Sequence, residues 1–114
     1  MIIAILIPVD GQPQTVTLDN TLTAFQQKVE GYLEALTLER PSRNTPGVIL
    51  YFNEEGRMRN LAFNMRLAEH NLYGALLIVG CDARGDAVNL TAEQVRQWTQ
   101  IVKSIKSSVS TVRQ

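Results

Sequence analysis

Most of the chemistry that makes an enzyme legible is missing from these 114 residues. There is one cysteine, Cys81, and one histidine, His70. A lone cysteine excludes an internal disulfide and fits a reducing compartment. With no second histidine, His70 lacks the partners that a catalytic or zinc-bound imidazole needs. Set between Glu69 and Asn71, it reads as a solvated or capping side chain. Cys81 has no basic neighbour to stabilise a thiolate, so it reads as a small buried residue of ordinary reactivity. No Walker loop, dinucleotide fingerprint, zinc spacing or nucleophile elbow occurs. The expectation is a protein that is not an enzyme and has no metal or cofactor.

Charge of one sign is missing as well. Lys plus Arg is 11 and Asp plus Glu is 11, which removes the long-range field of a non-specific nucleic-acid or membrane-surface binder. No apolar run approaches the roughly 20 residues that span a bilayer. Met1 to Ile7 resembles the apolar part of a signal peptide. However, no basic residue precedes it, Pro8 ends it and no small-residue cleavage site follows. These absences point to a cytoplasmic protein without membrane contact.

What is present is core. Hydrophobic residues make up 45% and charged residues 19%, the balance of one globular domain. Ile2–Ile7 and Ala75–Val79 are apolar on both pleat faces, the pattern of central strands. They are expected to lie side by side and parallel. Thr15–Leu18 alternates polar and apolar and pairs with the first strand through a turn at Gly11. A helix follows, with Thr23 and Gln26 at capping-box spacing and Asn20 or Thr21 as earlier starts. Its stripe is Leu22, Phe25, Val29, Tyr32, Leu33 and Leu36. Gly31 inside it signals a close approach to the sheet. Val48–Phe52 is a third strand, Arg57–Leu61 a short edge strand, and Ala62–Asn71 a turn or two of helix.

This order of hairpin, helix, strand, irregular segment and strand resembles the β-grasp arrangement of ubiquitin-like domains. The expected class is α+β, with a mixed sheet of four to five strands over residues 1–88. Residues 89–114 add an amphipathic helix. Thr91 and Gln94 form a capping box for it. Val95, Trp98, Val102, Ile105, Val109 and Val112 then follow at alternating steps of three and four, a coiled-coil seam. Two readings compete: the stripe covers the second face of its own sheet, or it pairs with a second chain. The second makes Val95, Trp98, Val102, Ile105 and Val109 an interface, with a homodimer expected.

Two polar groups, with Asn53 beside the first, carry the expectations of ligand or partner binding. Glu54, Glu55, Asp82 and Asp86 follow strands, and their carboxylates converge if those strands are neighbours. Arg57, Arg59 and Arg66 accompany Asn60 and Asn64, and arginines beside amides suit phosphate or carboxylate recognition.

Asn53-Glu54-Glu55-Gly56, Leu61, Asn64, Arg66, Ala68, Gly74, Leu77-Ile78-Val79-Gly80, Asp82, Gly85-Asp86 and Leu90 to Gln94 together resemble one family. Val29 to Glu34 fits its helix. It is a small domain of unknown function found in bacteriophages, plasmids and some actinobacteria. The likeness spans about Val29 to Gln94. The chain departs from it at Leu61-Ala62, where the family has a Leu-Pro segment, and at Met65, where a basic residue is common. The resemblance implies a mobile-element setting. Stoichiometric binding of a host protein is then expected, as an inhibitor of a defence or housekeeping complex. A small nucleotide-type ligand on Arg57, Arg59, Asn64 and Arg66 is the alternative.

Overall fold

Strict alternation along the middle strands decides the architecture. In the computed structural model, which describes residues 1–112 and side chains through Ser107, the elements in chain order are as follows. They are β1 (Ile2–Ile7), β2 (Gln14–Leu18), α1 (Leu22–Val29), β3 (Leu33–Glu39), β4 (Gly47–Asn53), β5 (Phe63–Leu67) and β6 (His70–Tyr73). β7 (Leu76–Cys81), β8 (Ala87–Val88) and α2 (Ala92–Val112) complete the chain. The main sheet runs β2-β1-β7-β4-β3, with β8 added along the end of β7. β5 and β6 form a separate hairpin. The protein is an α+β fold in three layers.

Even and odd positions of the central strands go to opposite faces. Ile5, Ile7, Val48, Leu50, Leu76 and Ile78 are buried on one face with Trp98 and Val102 of α2 and with Met65 and Leu72 of the hairpin. Ala4, Ile49, Leu77, Val79 and Cys81 are buried on the other with Phe25 and Val29 of α1. The tail stripe therefore packs in cis along its described part. Val95, Ile101 and Ile105 flank this core, and the side chains of Val109 and Val112 lie outside the described residues.

Polar contacts fix α2 along its length. The capping box forms reciprocally, with Thr91 N–H donating to Gln94 Oε1 at 3.0 Å and Gln94 N–H to Thr91 Oγ1 at 3.0 Å. Gln94 Nε2 donates to Pro46 O at 2.8 Å and Trp98 Nε1 to Glu39 Oε2 at 2.7 Å. Lys106 Nζ donates to the carbonyls of Pro8, Val9 and Gly11 at 2.6, 3.2 and 3.2 Å, seating the helix on the β1–β2 turn.

Three expectations are corrected. First, β1 and β7 are adjacent but antiparallel, and so is every other strand pair, so the parallel central pair of a β-grasp sheet does not form. The cause is an extra strand. The helix stops at Val29, capped by Glu30 in the left-handed region (φ 62°), and Leu33 and Leu36 belong to β3 instead. That strand reverses the chain once more before β4. Second, Thr21 rather than Thr23 caps α1, its Oγ1 accepting from Ala24 N–H at 3.1 Å. Third, residues 57–60 are turn and Leu61 belongs to no strand, and the expected helix at 62–71 is replaced by the β5–β6 hairpin.

Replacing Val102 and Ile105 together with aspartate should lower stability by about 3–5 kcal/mol, because Val102 is fully buried and its carboxylate would have no partner. Chemical denaturation monitored at Trp98 checks this. A double variant as stable as the parent would mean the stripe is not core.

Candidate functional site at the Asn53 end of the sheet

Asn53 ends β4 with its side chain 3% exposed. Its Nδ2 donates to the last carbonyls of α1, Val29 O at 3.2 Å and Glu30 O at 3.1 Å. Its Oδ1 accepts from Glu55 N–H at 2.8 Å. Helix C-termini leave carbonyls without partners, and this amide supplies one. The close approach requires Gly31, since a Cβ there would stand 2.5 Å from Asn53 Nδ2. The neighbouring turn is drawn in by Glu54 N–H to Tyr32 O at 2.9 Å and Arg59 Nη1 to Glu30 O at 3.4 Å. Asn53 is thus a structural hub that presents the 54–60 turn beside the α1–β3 corner.

Between this turn and the β5–β6 hairpin lies an open cleft of about 260 Å³. Phe52 and Tyr73 give it apolar lining; Glu54, Arg57, Glu69 and His70 give it ionisable groups. Among the described residues, none of these four ionisable side chains has a hydrogen-bond or ion-pair partner. Arg66 reaches the cleft only through Asn71, donating to its Oδ1 at 3.2 Å. The hairpin tip is Ala68–Glu69, with φ 49° and 66°, joining the paired residues Leu67 and His70. Two positive φ values in a two-residue loop are the signature of a type I′ turn, where Asn-Gly is favoured.

The expected site residues therefore divide. Arg57 and Glu54 share the cleft, Arg59 is anchored on α1, and Glu55 contributes its backbone to Asn53. Asn64 is 7% exposed and ties the hairpin to β1, donating to Ile7 O at 3.0 Å and Gly74 O at 2.8 Å. Its Oδ1 is buried without a partner. Met65 is fully buried in the core. Asp82 and Asp86 do not meet Glu54 and Glu55. β4 and β7 are neighbours, but Gly47 pairs with Cys81. The two acidic turns thus sit at opposite ends of β4, about 20 Å apart at ~3.3 Å per residue. Asp82 Oδ1 instead holds its own loop, accepting from Arg84 and Asp86 N–H at 2.9 Å each. Glu69, His70, Asn71 and Tyr73 were not expected in a site. Their positions depend on a hairpin whose turn lacks the usual Gly or Asn.

Cys81 is 3% exposed, and burial raises its thiol above the ordinary value, with the Asp82 carboxylate adding and a backbone hydrogen bond from Gly47 opposing. Burial also raises the Tyr51 phenol, whose ring stacks on Phe25 at 5.3 Å. No helix among the described residues is long and apolar enough to cross a membrane.

Compared with known proteins, residues 1–103 match the family model Domain of unknown function (DUF3846). The match takes in the β1–β2 hairpin and half of α2, beyond the span of the resemblance noted in the sequence. No curated protein and no solved structure matches.

Two outcomes are expected here. Asn53→Ala should cost about 2–3 kcal/mol in urea unfolding, because it removes three hydrogen bonds and strands a buried carbonyl. Undiminished stability would free Asn53 for a ligand role. Cys81 should react with a disulfide reagent more than about tenfold faster in urea than in the native state. Because burial raises both Cys81 and Tyr51, the stability tied to their neutral forms is fully present below their unfolded values, about 8.5–9 for the thiol and about 10 for the phenol, and is lost as pH rises past each in turn. A native thiol that reacts as fast as the unfolded one would contradict the burial.

Proposed function

The chain belongs to the DUF3846 family of domains of unknown function, and on that premise we propose that it is a non-enzymatic protein-binding factor working through its Asn53 end. The observation that carries this reading is the pairing of exposed apolar and basic side chains there. Tyr32 is 66% exposed and Met58 is 84% exposed. Arg57 and Arg59 flank Met58 in the same turn, and Glu54 N–H is bonded to Tyr32 O. Tyrosine, methionine and arginine are the residues enriched at protein interfaces. A tight turn pinned by Asn53 presents them at low ordering cost.

The partner this reading favours is another protein rather than a second copy. The best apolar seam, Trp98 with Val102, is already covered within the chain. In the phage or mobile-element setting that the family resemblance implies, the partner is a host protein of a defence or housekeeping complex. The nucleotide-type alternative on residues 57–66 has less support, since Asn64 is buried and bonded and Arg59 is anchored.

The test is a pull-down from bacterial lysate with the parent chain and with the Tyr32→Ser, Met58→Ser double variant. Both side chains are exposed, so stability should change by less than about 0.5 kcal/mol. The expected result is a stoichiometric host protein retained by the parent and weakened at least about tenfold by the variant. Equal capture by both, or no stoichiometric protein at several salt concentrations, would overturn the reading.

A further inference from the structure

The cleft beside this surface has features that protein binding does not explain. Glu54, Arg57, Glu69 and His70 line one small space with Phe52 and Tyr73, and none of the four ionisable side chains is engaged elsewhere among the described residues. By contrast, Arg59 and Arg66, just outside, are both hydrogen-bonded within the chain. Carboxylates and a guanidinium kept apart around apolar lining match a ligand that brings both charges itself.

Strain points to the same place. Among the described residues, the four non-glycine residues with positive φ are Glu30, Asn60, Ala68 and Glu69. Glu30 is bonded to Asn53, Asn60 closes the 54–60 turn through Arg57 O, and Ala68–Glu69 is the hairpin tip at the cleft. Left-handed backbone at alanine and glutamate is held only where surrounding structure enforces it, and such strain concentrates at ligand sites. At position 69 a glycine would be relaxed, but it would remove a carboxylate from the cleft.

Size narrows the class. The cleft, about 260 Å³ and open to solvent, falls below the roughly 300–1,000 Å³ of drug-sized sites, which favours a small ligand. Among the described residues no group of three His, Cys, Asp or Glu side chains is set to hold a metal ion. We propose that this cleft binds a free α-amino acid, its ammonium group taken by Glu54 and Glu69 and its carboxylate by Arg57, with the side chain against Phe52 and Tyr73. His70 and Asn71 supply further hydrogen bonds. The cleft shares Arg57 with the proposed protein-binding surface, but neither Tyr32 nor Met58 lines it, so the variants that test the two readings are distinct.

The experiment is a nitrogen-edited NMR titration of the whole chain with each proteinogenic L-amino acid in turn. Methylammonium chloride and sodium acetate serve as half-ligands. At least one amino acid should shift the amides of residues 54–57 and 69–73 saturably, with Kd between about 1 μM and 1 mM. Arg57→Gln and Glu69→Gly should each weaken that binding at least about tenfold. Glu69→Gly should nonetheless melt no lower than the parent, since glycine adopts the φ of this turn without strain. Arg84→Gln, at the far end of the sheet, should leave Kd unchanged. No saturable shift with any amino acid would overturn the proposal. So would acetate alone binding as tightly as the amino acid, or undiminished binding by the well-folded Glu69→Gly variant.

Discussion

The central strands β1, β7 and β4 are apolar on both faces, and a sheet of that kind has to be covered on both. Ile5, Leu50 and Ile78 look one way, and Ala4, Ile49 and Leu77 look the other. Apolar burial supplies the main favourable free energy, roughly 25 cal/mol for each Å² removed from water. Neither face can be left wet without losing a large part of it. Eight helical residues of α1 cover one face. The other takes both α2 and the β5–β6 hairpin, through Trp98, Val102, Met65 and Leu72. The tail is therefore a layer of the domain, and its polar contacts at Gln94, Trp98 and Lys106 set the angle at which it lies.

Antiparallel pairing throughout the sheet then sorts the loops. Where neighbouring strands run in opposite directions, the loop after one lies near the loop before the other. The turn after β4 meets the hairpin that precedes β7, and the loop after β7 meets the segment that precedes β4. The first end gathers Glu54, Arg57, Glu69 and His70 around a cleft. The second is closed by backbone: a Cβ at Gly47 would stand 2.6 Å from Glu39 O, and one at Gly80 would stand 2.6 Å from Asn89 O. Polar chemistry at that second end, in Asp82, serves the loop itself.

How much of this was legible depended on whether the signal was local. The two-sided apolar runs of β1, β4 and β7, the Thr91–Gln94 capping box and the α2 stripe were readable, because periodicity and caps lie within a few residues of each other. Leu33 and Leu36 misled, since three-residue spacing fits a helix stripe, whereas in β3 it sends the two side chains to opposite faces, Leu33 to the α1 side and Leu36 to the α2 side. Gly31, read as a close contact, marked both that contact and the end of the helix. The hairpin was illegible for a clear reason. Met65 and Leu72 are its buried residues, but Ala68–Glu69 has none of the turn chemistry that announces a type I′ loop. Asn64 looked like a ligand residue because amides beside arginines suit anions, and Asn53 because it opens the polar turn of Glu54 and Glu55. Only the fold reveals that both are occupied by backbone partners.

That misreading and the candidate site share a cause. Sequence rules succeed where each residue prefers its own local conformation, and consistency of that kind is what selects a single fold. At the Asn53 end the rule fails four times, at Glu30, Asn60, Ala68 and Glu69, each in a backbone region that side chains disfavour. Each such position costs of order 1–3 kcal/mol, a large fraction of the net stability of a domain this size. Glycine at these positions would remove the cost without touching the core, because none of the four is buried. The same end of the sheet also carries two positive-φ glycines, Gly11 and Gly74, while Gly85 serves the opposite end. Close to Gly74, which adopts such a φ freely, Glu69 keeps its carboxylate in strained backbone at the cleft, and a side chain retained at that cost is held for something outside the chain.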